Sequence, residues 1–160
     1  MINLTVIALG KLKEDYLRAA CAEYQKRLNG ICKFSVVELN AQKLSDNPSQ
    51  TEIDTALDNE AKLILTKIPQ NSVVYALCIE GRQMSSEKLS EALQRHAVAG
   101  RNNAVFVIGS SYGLSPIIKQ KADFKFSMSE MTFPHQLARV MLFEQLYRAS
   151  QIEMRTKYHK

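Results

Sequence analysis

The chain has 160 residues, of which 46% are hydrophobic and 23% charged, and its formal net charge is +5. This composition is typical of one globular domain with a substantial core, and it excludes a disordered chain. No apolar run approaches the roughly 18 residues of a membrane-spanning helix, so we expect no membrane association.

The N-terminal residues, MINLTVIALGKLKEDY, predict a β-strand over residues 2–9. A signal peptide is not expected, because no basic segment precedes the apolar run and no small-residue cleavage site follows it. We therefore expect a cytoplasmic protein. Residues 11–28 show helical periodicity and end at Asn29-Gly30, a typical helix stop. Residues 31–39 predict a second strand.

The second predicted helix follows a polar loop. Ser49 is followed three residues later by Glu52, which is the spacing of a capping box, and Pro69 is expected to end the helix. Residues 72–79, SVVYALCI, predict a fully buried strand of a parallel sheet. We expect the next residues, Glu80-Gly81-Arg82, to form a turn.

The remaining elements continue the alternation of strand and helix. We expect a helix over residues 85–99, a strand over 104–108, a short helix over 116–122 and a short strand over 123–127. A long helix should run from Pro134 to about residue 152. This order predicts a single α/β domain with a mostly parallel sheet and helices on both faces.

The cysteines and histidines give no sign of a disulfide framework or a metal site. The three cysteines are scattered without C-x-x-C spacing, and the three histidines form no H-E-x-x-H pattern. We expect the thiols to fill the core and expect no bound metal.

A ligand site is expected beyond the carboxyl ends of the strands, where α/β sheets usually bind their ligands. Three loops meet this condition, at residues 80–82, 109–113 and 128–134. Gly109 and Gly113 would let backbone approach a ligand, although for either glycine alone an ordinary turn is the simpler explanation. The loop lacks the Lys-Ser/Thr pair of a P-loop, so it is not a phosphate-binding loop of that type.

The last helix is apolar over more than half of its circumference. Covering one side of a sheet requires a single apolar stripe, so the excess indicates a subunit interface or, alternatively, deep burial within one chain. His135 and Arg139 share one face at its entrance, near the strand-end loops. His135 is expected to do no more than cap or orient this turn.

The positive charge is concentrated in two segments. Residues 11–33 hold six basic and three acidic side chains, and residues 139–160 hold five basic and two acidic ones. Such an excess favours a polyanionic partner such as RNA, although solvated helix faces would also account for it. Within the C-terminal RTKYHK, Tyr158 and His159 could stack on a nucleotide, or the tail could simply fray.

Several segments together resemble the RlmH family of SPOUT methyltransferases along nearly the whole chain. They are VIALGKLKEDY, LCIEGRQMSS, FVIGSSYGLSP, FSMSEMTFPHQLARVMLFEQLYRA and the terminal YHK. The resemblance implies an α/β fold with a C-terminal trefoil knot, and it implies a homodimer. It further implies that S-adenosylmethionine is used to methylate N3 of a pseudouridine in 23S rRNA of the assembled ribosome.

The resemblance also implies roles for individual residues. The residues implied in cofactor binding are Leu77, Gly109, Met128, Ser129, Glu130, Met131, Thr132 and Phe133. The family usually has two glycines after the fourth strand, and here the second position is Ser110. Substrate handling is implied for Arg139, Tyr158 and His159.

The proton on N3 must leave for methyl transfer to occur, which leads to a mechanistic hypothesis. His159 or Tyr158 would position the substrate uracil ring or remove its proton, and Arg139 would support the developing anion. In a dimer, the tail could act on the site of the neighbouring subunit. Two alternatives remain, which are a non-catalytic RNA-binding module and a flavodoxin-like protein that binds FMN or a phosphate ligand.

Overall fold

Five strands alternate with five helices in the part of the chain that the structure describes, residues 1–159 of a computed structural model. Lys160, the last residue of the YHK segment, lies outside the described residues. The strands are β1 (Asn3–Leu9), β2 (Phe34–Leu39), β3 (Ser72–Arg82), β4 (Asn103–Ile108) and β5 (Phe124–Phe126). The helices are α1 (Asp15–Asn29), α2 (Gln50–Lys67), α3 (Ser86–Val98), α4 (Pro116–Lys121) and α5 (His135–Glu153).

The strands form one sheet in the order β2-β1-β4-β3-β5, and every neighbouring pair is parallel. The predicted α/β class and the predicted parallel sheet are therefore confirmed. The order differs from the 2-1-3-4-5 arrangement of flavodoxin-like sheets, because β3 and β4 have exchanged places. The topology thus counts against the flavodoxin-like alternative.

The direction of each crossover explains which helices share a face. The connections from β1 to β2 and from β3 to β4 lead towards the β2 edge of the sheet. The connections from β2 to β3 and from β4 to β5 lead towards the β5 edge. Right-handed crossovers then place α1 and α3 on one face and α2 and α4 on the other. Helix α5 packs between α1 and α3, which completes a three-helix layer.

Successive side chains along each strand point to opposite faces of the sheet, so each face has its own core. On β1, Val6 and Ala8 face the three-helix layer, where Phe106 and Phe143 are also buried. Their neighbour Ile7 faces the opposite layer of α2 and α4. The near-absence of exposed residues in β1 and β4 explains why these strands are continuous apolar runs in the sequence.

Most boundaries agree with the sequence predictions within a few residues. The capping box is confirmed, because the Ser49 hydroxyl accepts a hydrogen bond from the Glu52 N–H at 3.2 Å and the Glu52 carboxylate accepts one from the Ser49 N–H at 2.9 Å. Helix α1 begins at Asp15, four residues later than its periodicity indicated. No helix within residues 1–159 is both long and apolar enough to span a bilayer.

The predicted turn at Glu80-Gly81-Arg82 is wrong, because β3 continues through these residues. The edge strand β5 pairs with β3 on both sides of an irregularity between Leu77 and Arg82. A Cβ atom on Gly81 would lie 2.7 Å from the backbone of Phe126. Glycine is therefore needed here for the close approach of two strands, not for a reversal of the chain.

Helix α5 buries one broad side and leaves the other partly exposed. Its fully buried residues include Leu142, Phe143 and Leu146, which face the sheet. On the outer side Val140 is only half-buried and Leu137 is 39% exposed. Complete burial within one chain is therefore not observed, and the subunit interface remains a prediction.

Candidate functional site

A cavity of about 450 Å³ opens at the carboxyl ends of β3, β4 and β5. Three chain segments form its walls, which are residues 77–80 of β3, residues 108–114 after β4 and residues 126–133 after β5. The first turn of α5 closes one side through His135 and Ala138. The cavity therefore lies at the edge where the parallel strands end, which is where the sequence led us to expect a ligand site.

The inner wall of the cavity is mainly apolar. Its apolar side chains are those of Leu77, Ile108, Leu114, Phe126, Met128 and Phe133. Backbone groups and the hydroxyls of two serine-rich loops lie beside them. This combination suits a flat heteroaromatic group whose polar edges are recognised by backbone N–H and C=O groups.

The structure brings together nearly all the residues for which the family resemblance implies cofactor binding. Those that line the cavity are Leu77, Gly109, Met128, Ser129, Met131, Thr132 and Phe133. Glu130 belongs to the same loop and is exposed, but it is not part of the wall. Their role in binding a cofactor stays a prediction.

The loop after β4, residues 109–115, doubles back tightly on itself. A Cβ atom on Gly109 would lie 2.2 Å from the carbonyl oxygen of Gly113. The Gly113 N–H donates to the Ser110 carbonyl at 2.9 Å, and the φ angle of Gly113 is +85°. Gly109 is thus required for the approach of the chain's own backbone, whereas the sequence suggested approach to a ligand.

Two carboxylates of α2 hold the same loop from behind. The Ser110 hydroxyl donates to Glu60 at 3.3 Å, and the Ser115 hydroxyl donates to Asp58 at 2.9 Å. Glu60 also accepts a hydrogen bond from the Gln42 N–H at 2.8 Å. Burial raises the pKa of Glu60, and the bonds from Gln42 and Ser110 oppose this shift.

The loop after β5 is held at its base and exposed at its tip. The Ser127 N–H donates to the Arg82 carbonyl at 3.1 Å, and the Ser127 hydroxyl donates to the Ser129 carbonyl at 2.9 Å. At the tip, the side chain of Met131 is 73% exposed. Tyr112 of the loop after β4 is 48% exposed and also lines the cavity. The side chains of Met131 and Tyr112 therefore border the opening of the cavity.

His135 is the titratable residue that the sequence analysis undervalued. It lines the cavity, although its position at the helix entrance suggested only a capping or orienting role. Burial lowers the pKa of His135, and the nearby charges of Arg139 and Lys13 lower it further. The imidazole is therefore mostly neutral at pH 7 and can accept a proton.

Arg139 does not line this cavity. Its guanidinium group donates to the Glu38 carboxylate and, at 2.9 Å, to the Gly10 carbonyl at the end of β1. The residue is only 2% exposed, and it borders a separate cavity between α1 and β2. Within one chain, Arg139 therefore connects β1, β2 and α5. It does not line the cavity, so its role towards the substrate stays a prediction.

The tail also lies outside the cavity of its own chain. The Tyr158 hydroxyl donates to Glu144 at 3.2 Å, and the Arg148 guanidinium lies 4.8 Å from the centre of the Tyr158 ring. His159 Nε2 lies 2.7 Å from a carboxylate oxygen of Glu87 at the start of α3. The tail is thus packed against α5 and α3 and does not fray within the described residues.

Comparison with known proteins identifies close relatives. A family model described as "Predicted SPOUT methyltransferase" matches residues 2–159. Ribosomal RNA large subunit methyltransferase H 1 of Clostridium perfringens is 48% identical over 159 residues, which cover 99% of this chain and 100% of that protein. Ribosomal RNA large subunit methyltransferase H of Clostridium kluyveri is 44% identical over the same shares.

Solved structures share the fold at much lower identity. A probable methylase family protein from Haemophilus influenzae superposes with a TM-score of 0.55 at 13% identity, covering 99% of this chain and 71% of that one. A TrmH/SpoU tRNA modifying enzyme from A. aeolicus has a TM-score of 0.53 at 13% identity, covering 96% of this chain and 78% of that one.

Proposed function

The chain belongs to the SPOUT methyltransferase family, and from that premise we propose that it methylates N3 of a pseudouridine in 23S rRNA of the assembled ribosome. The proposed methyl donor is S-adenosylmethionine. Relatives at 43–48% identity over their full length bear the name ribosomal RNA large subunit methyltransferase H, which supports ribosomal RNA as the substrate. A ribosomal substrate implies a cytoplasmic enzyme.

The single observation that carries the proposal is the cavity at the carboxyl ends of β3, β4 and β5. Its volume of about 450 Å³ lies within the usual range for sites that bind nucleotide-sized ligands. Its apolar wall can accept an adenine ring, and the backbone of residues 109–113 and 128–132 can recognise the polar edges of that ring. The residues present therefore fit the proposed donor.

Methyl transfer in this site depends mainly on alignment. The bound donor supplies an electrophilic methyl group on a sulfonium, and N3 of the base forms the new C–N bond as the C–S bond breaks. The two loops that border the cavity would exclude water and fix the direction of approach. The N3 proton must pass to a basic group of the protein or to water.

Two groups of residues are candidates for receiving that proton. His135 lines the cavity and has a lowered pKa, so it is mostly neutral at pH 7. Tyr158 and His159 lie on the outer side of α5 in their own chain, so they would have to act on the cavity of a second subunit. We propose that the tail is the catalytic element in a homodimer, with Arg139 in support, and that His135 is the competing base.

The path of the chain supports the trefoil knot that the family implies. Residues 127–134 leave the edge strand β5 and lead to α5, which lies between α1 and α3 in the middle of the molecule. The chain must therefore cross the carboxyl ends of β3 and β4. We include a knot at this crossing in the proposal.

Methyl transfer to ribosomes from a strain that lacks the modification tests the proposal. Purified protein, labelled S-adenosylmethionine and assembled ribosomes should give one methylated pseudouridine that mass spectrometry of the rRNA locates. Separate variants His135→Gln, Tyr158→Phe and His159→Gln should then identify the base by the loss of turnover. If the protein binds ribosomes but not S-adenosylmethionine in calorimetry, the non-catalytic RNA-binding alternative is correct.

A further inference from the structure

A buried glutamate lies behind the loop that borders the cavity. Glu60 is 4% exposed and sits on the inner face of α2, between Leu57 and Ile64. A carboxylate in such a position is unfavourable unless donors satisfy it. Its two oxygen atoms have different partners, the Gln42 N–H and the Ser110 hydroxyl, at 2.8 Å and 3.3 Å.

A second carboxylate of the same helix holds the other end of the loop. Asp58 accepts a hydrogen bond from the Ser115 hydroxyl at 2.9 Å. The Ser115 hydroxyl in turn accepts one from the Ile117 N–H at the start of α4, at 3.2 Å. Ser110 and Ser115 mark the two ends of the part of the loop that reverses the chain, so α2 fixes that reversal at both ends.

We propose that Glu60, assisted by Asp58, is a positioning residue for the methyl donor. Glu60 does not line the cavity and acts through Ser110, which does. The inference rests on the proposed function, because it concerns how the same cavity recognises S-adenosylmethionine. It also gives a role to Ser110, which stands where the family usually has a second glycine.

The physical basis is the conformational freedom of the loop. A loop that is ordered only when the ligand binds loses affinity through its ordering entropy, whereas a loop held in place beforehand does not. Residues 109–113 make this reversal and line the cavity, and their backbone groups would recognise the donor. Hydrogen bonds to a carboxylate are stronger than those between neutral groups, so Glu60 is suited to hold these groups in register.

Affinity for S-adenosylmethionine, measured by calorimetry on the full-length protein, tests this role. Glu60→Ala should weaken binding about tenfold, which is the effect of losing a hydrogen bond to a charged group. Glu60→Gln should remain within about threefold of wild type, since an amide can still accept from Gln42 and bond to the Ser110 hydroxyl. The Michaelis constant for ribosomes should not change in either variant.

Two further variants separate positioning from general damage. Asp54 lies on the exposed side of the same helix, where it accepts a hydrogen bond from the Gln50 side chain at 2.8 Å, so Asp54→Asn should leave cofactor affinity unchanged. Ser110→Ala should weaken binding by itself, and Glu60→Ala should have a smaller effect in its presence, because the two residues act through one bond. If Glu60→Ala proves too unstable to measure, Ser110→Ala and Asp58→Ala decide the question.

The outcomes distinguish this inference from the function on which it rests. Wild-type protein that fails to bind S-adenosylmethionine would overturn the proposed function. Wild-type protein that binds, with folded Glu60→Ala and Ser110→Ala variants of unchanged affinity, would overturn the positioning role alone. Equal losses in Glu60→Gln and Glu60→Ala would also overturn it, because hydrogen bonding could not then explain the effect.

Discussion

At the scale of single residues, Gly109 is the position in the cavity wall where a side chain has the least room. The space that a side chain would occupy is filled by the Gly113 carbonyl oxygen, 2.2 Å from the Cβ position. That neighbour is backbone and belongs to a loop closed by its own hydrogen bond. The clash can therefore be relieved only by moving the loop that borders the cavity.

Replacing Gly109 with alanine should abolish measurable binding of S-adenosylmethionine or weaken it at least about tenfold, because the loop must shift by more than an ångström. Calorimetry at a temperature where the variant is folded provides the measurement. Gly100→Ala is the matched control. Its φ angle is +79° and nothing lies within 4 Å of its Cβ position, so it should lower stability but leave affinity unchanged. Equal affinities of Gly109→Ala and wild type would contradict the prediction.

Arg139 gives a second prediction, which concerns stability. Its almost fully buried guanidinium donates hydrogen bonds to the Glu38 carboxylate and to the Gly10 carbonyl. The Glu38 side chain, in contrast, is 41% exposed. Arg139→Ala should lower the free energy of unfolding by about 2 kcal/mol, less than for a fully buried pair, because water can reach the remaining carboxylate. Urea titration measures the difference.

The exposed Arg18–Asp15 pair serves as the control for this prediction. Arg18→Ala removes an ion pair whose partner is almost fully solvated, so it should change stability by less than about 1 kcal/mol. If Arg139→Ala is as stable as wild type yet inactive, Arg139 acts on the substrate alone. A loss of both stability and turnover would support a structural role with an additional effect on the site.

The sequence could indicate where these residues lie but not what they touch. Strand-end position placed Gly109 at the ligand edge, yet the contact with Gly113 depends on how the loop reverses. Glu60 carried a signal that was available, since it interrupts the apolar stripe of α2 beside Ala61 and Ile64. A carboxylate on a buried stripe needs a donor, but only the folded chain identifies Ser110 and Gln42 as those donors.

At the scale of elements, a polar and aromatic contact connects β3, α3 and β5. The Tyr75 hydroxyl lies 2.9 Å from His96 Nε2, and the Tyr75 ring stacks on Phe124 with centroids 4.9 Å apart. Burial lowers the pKa of His96, the charges of Arg101 and Arg95 lower it further, and Asp123 opposes them. The folded protein therefore favours the neutral imidazole.

This shift predicts a loss of stability in mildly acidic solution. The unfolded chain has a histidine pKa of about 6.5 and binds the proton more readily than the folded chain does. The stabilisation is complete above about pH 6.5 and is lost as the pH falls towards the lowered folded pKa. Urea unfolding at pH 7.5 and pH 5.5 should show this decline, and it should be smaller in His96→Gln.

The pKa of His135 is lowered as well, so His135 contributes to the same decline. The informative quantity is therefore the difference in pH-dependent stability loss between wild type and His96→Gln. Half-buried His159 lies beside Glu87, and His159→Gln provides a variant in which the decline should persist. Identical pH profiles for wild type and His96→Gln would exclude the Tyr75–His96 contact as a cause.

Local sequence patterns predicted most helices and strands, but they did not predict which strands pair with each other. The apolar run of 72–79 and the Ser49–Glu52 spacing are local features, so β3 and the start of α2 could be predicted. The extension of β3 to Arg82 depends on pairing with β5, whose three residues come more than 40 positions later in the chain. Strand order likewise depends on crossovers that no local pattern encodes.

At the scale of the whole molecule, the packing of α1 against α5 unites two basic segments. Residues 11–33 and 139–160 are far apart in the sequence, but α1 and α5 share one layer and the tail folds back on α5. Much of the arginine charge there is neutralised internally, by the pairs Arg18–Asp15, Arg27–Glu23, Arg139–Glu38 and Arg148–Glu144. The lysines of this face are therefore the better candidates for contacts with phosphate.

Ribosome association should consequently depend steeply on salt, and the dependence should be traceable to this layer. Each phosphate contact that is removed lowers the slope of log affinity against log salt by about one, because fewer counterions are released on binding. Combined replacement of exposed Lys11, Lys13 and Lys26 with glutamine should lower the slope by about two to three and leave S-adenosylmethionine affinity unchanged. Replacing Lys62 and Lys67, which are exposed on α2 across the sheet, should alter neither quantity. A similar loss of slope in both sets would mean that overall charge, and not the layer of α1 and α5, attracts the ribosome.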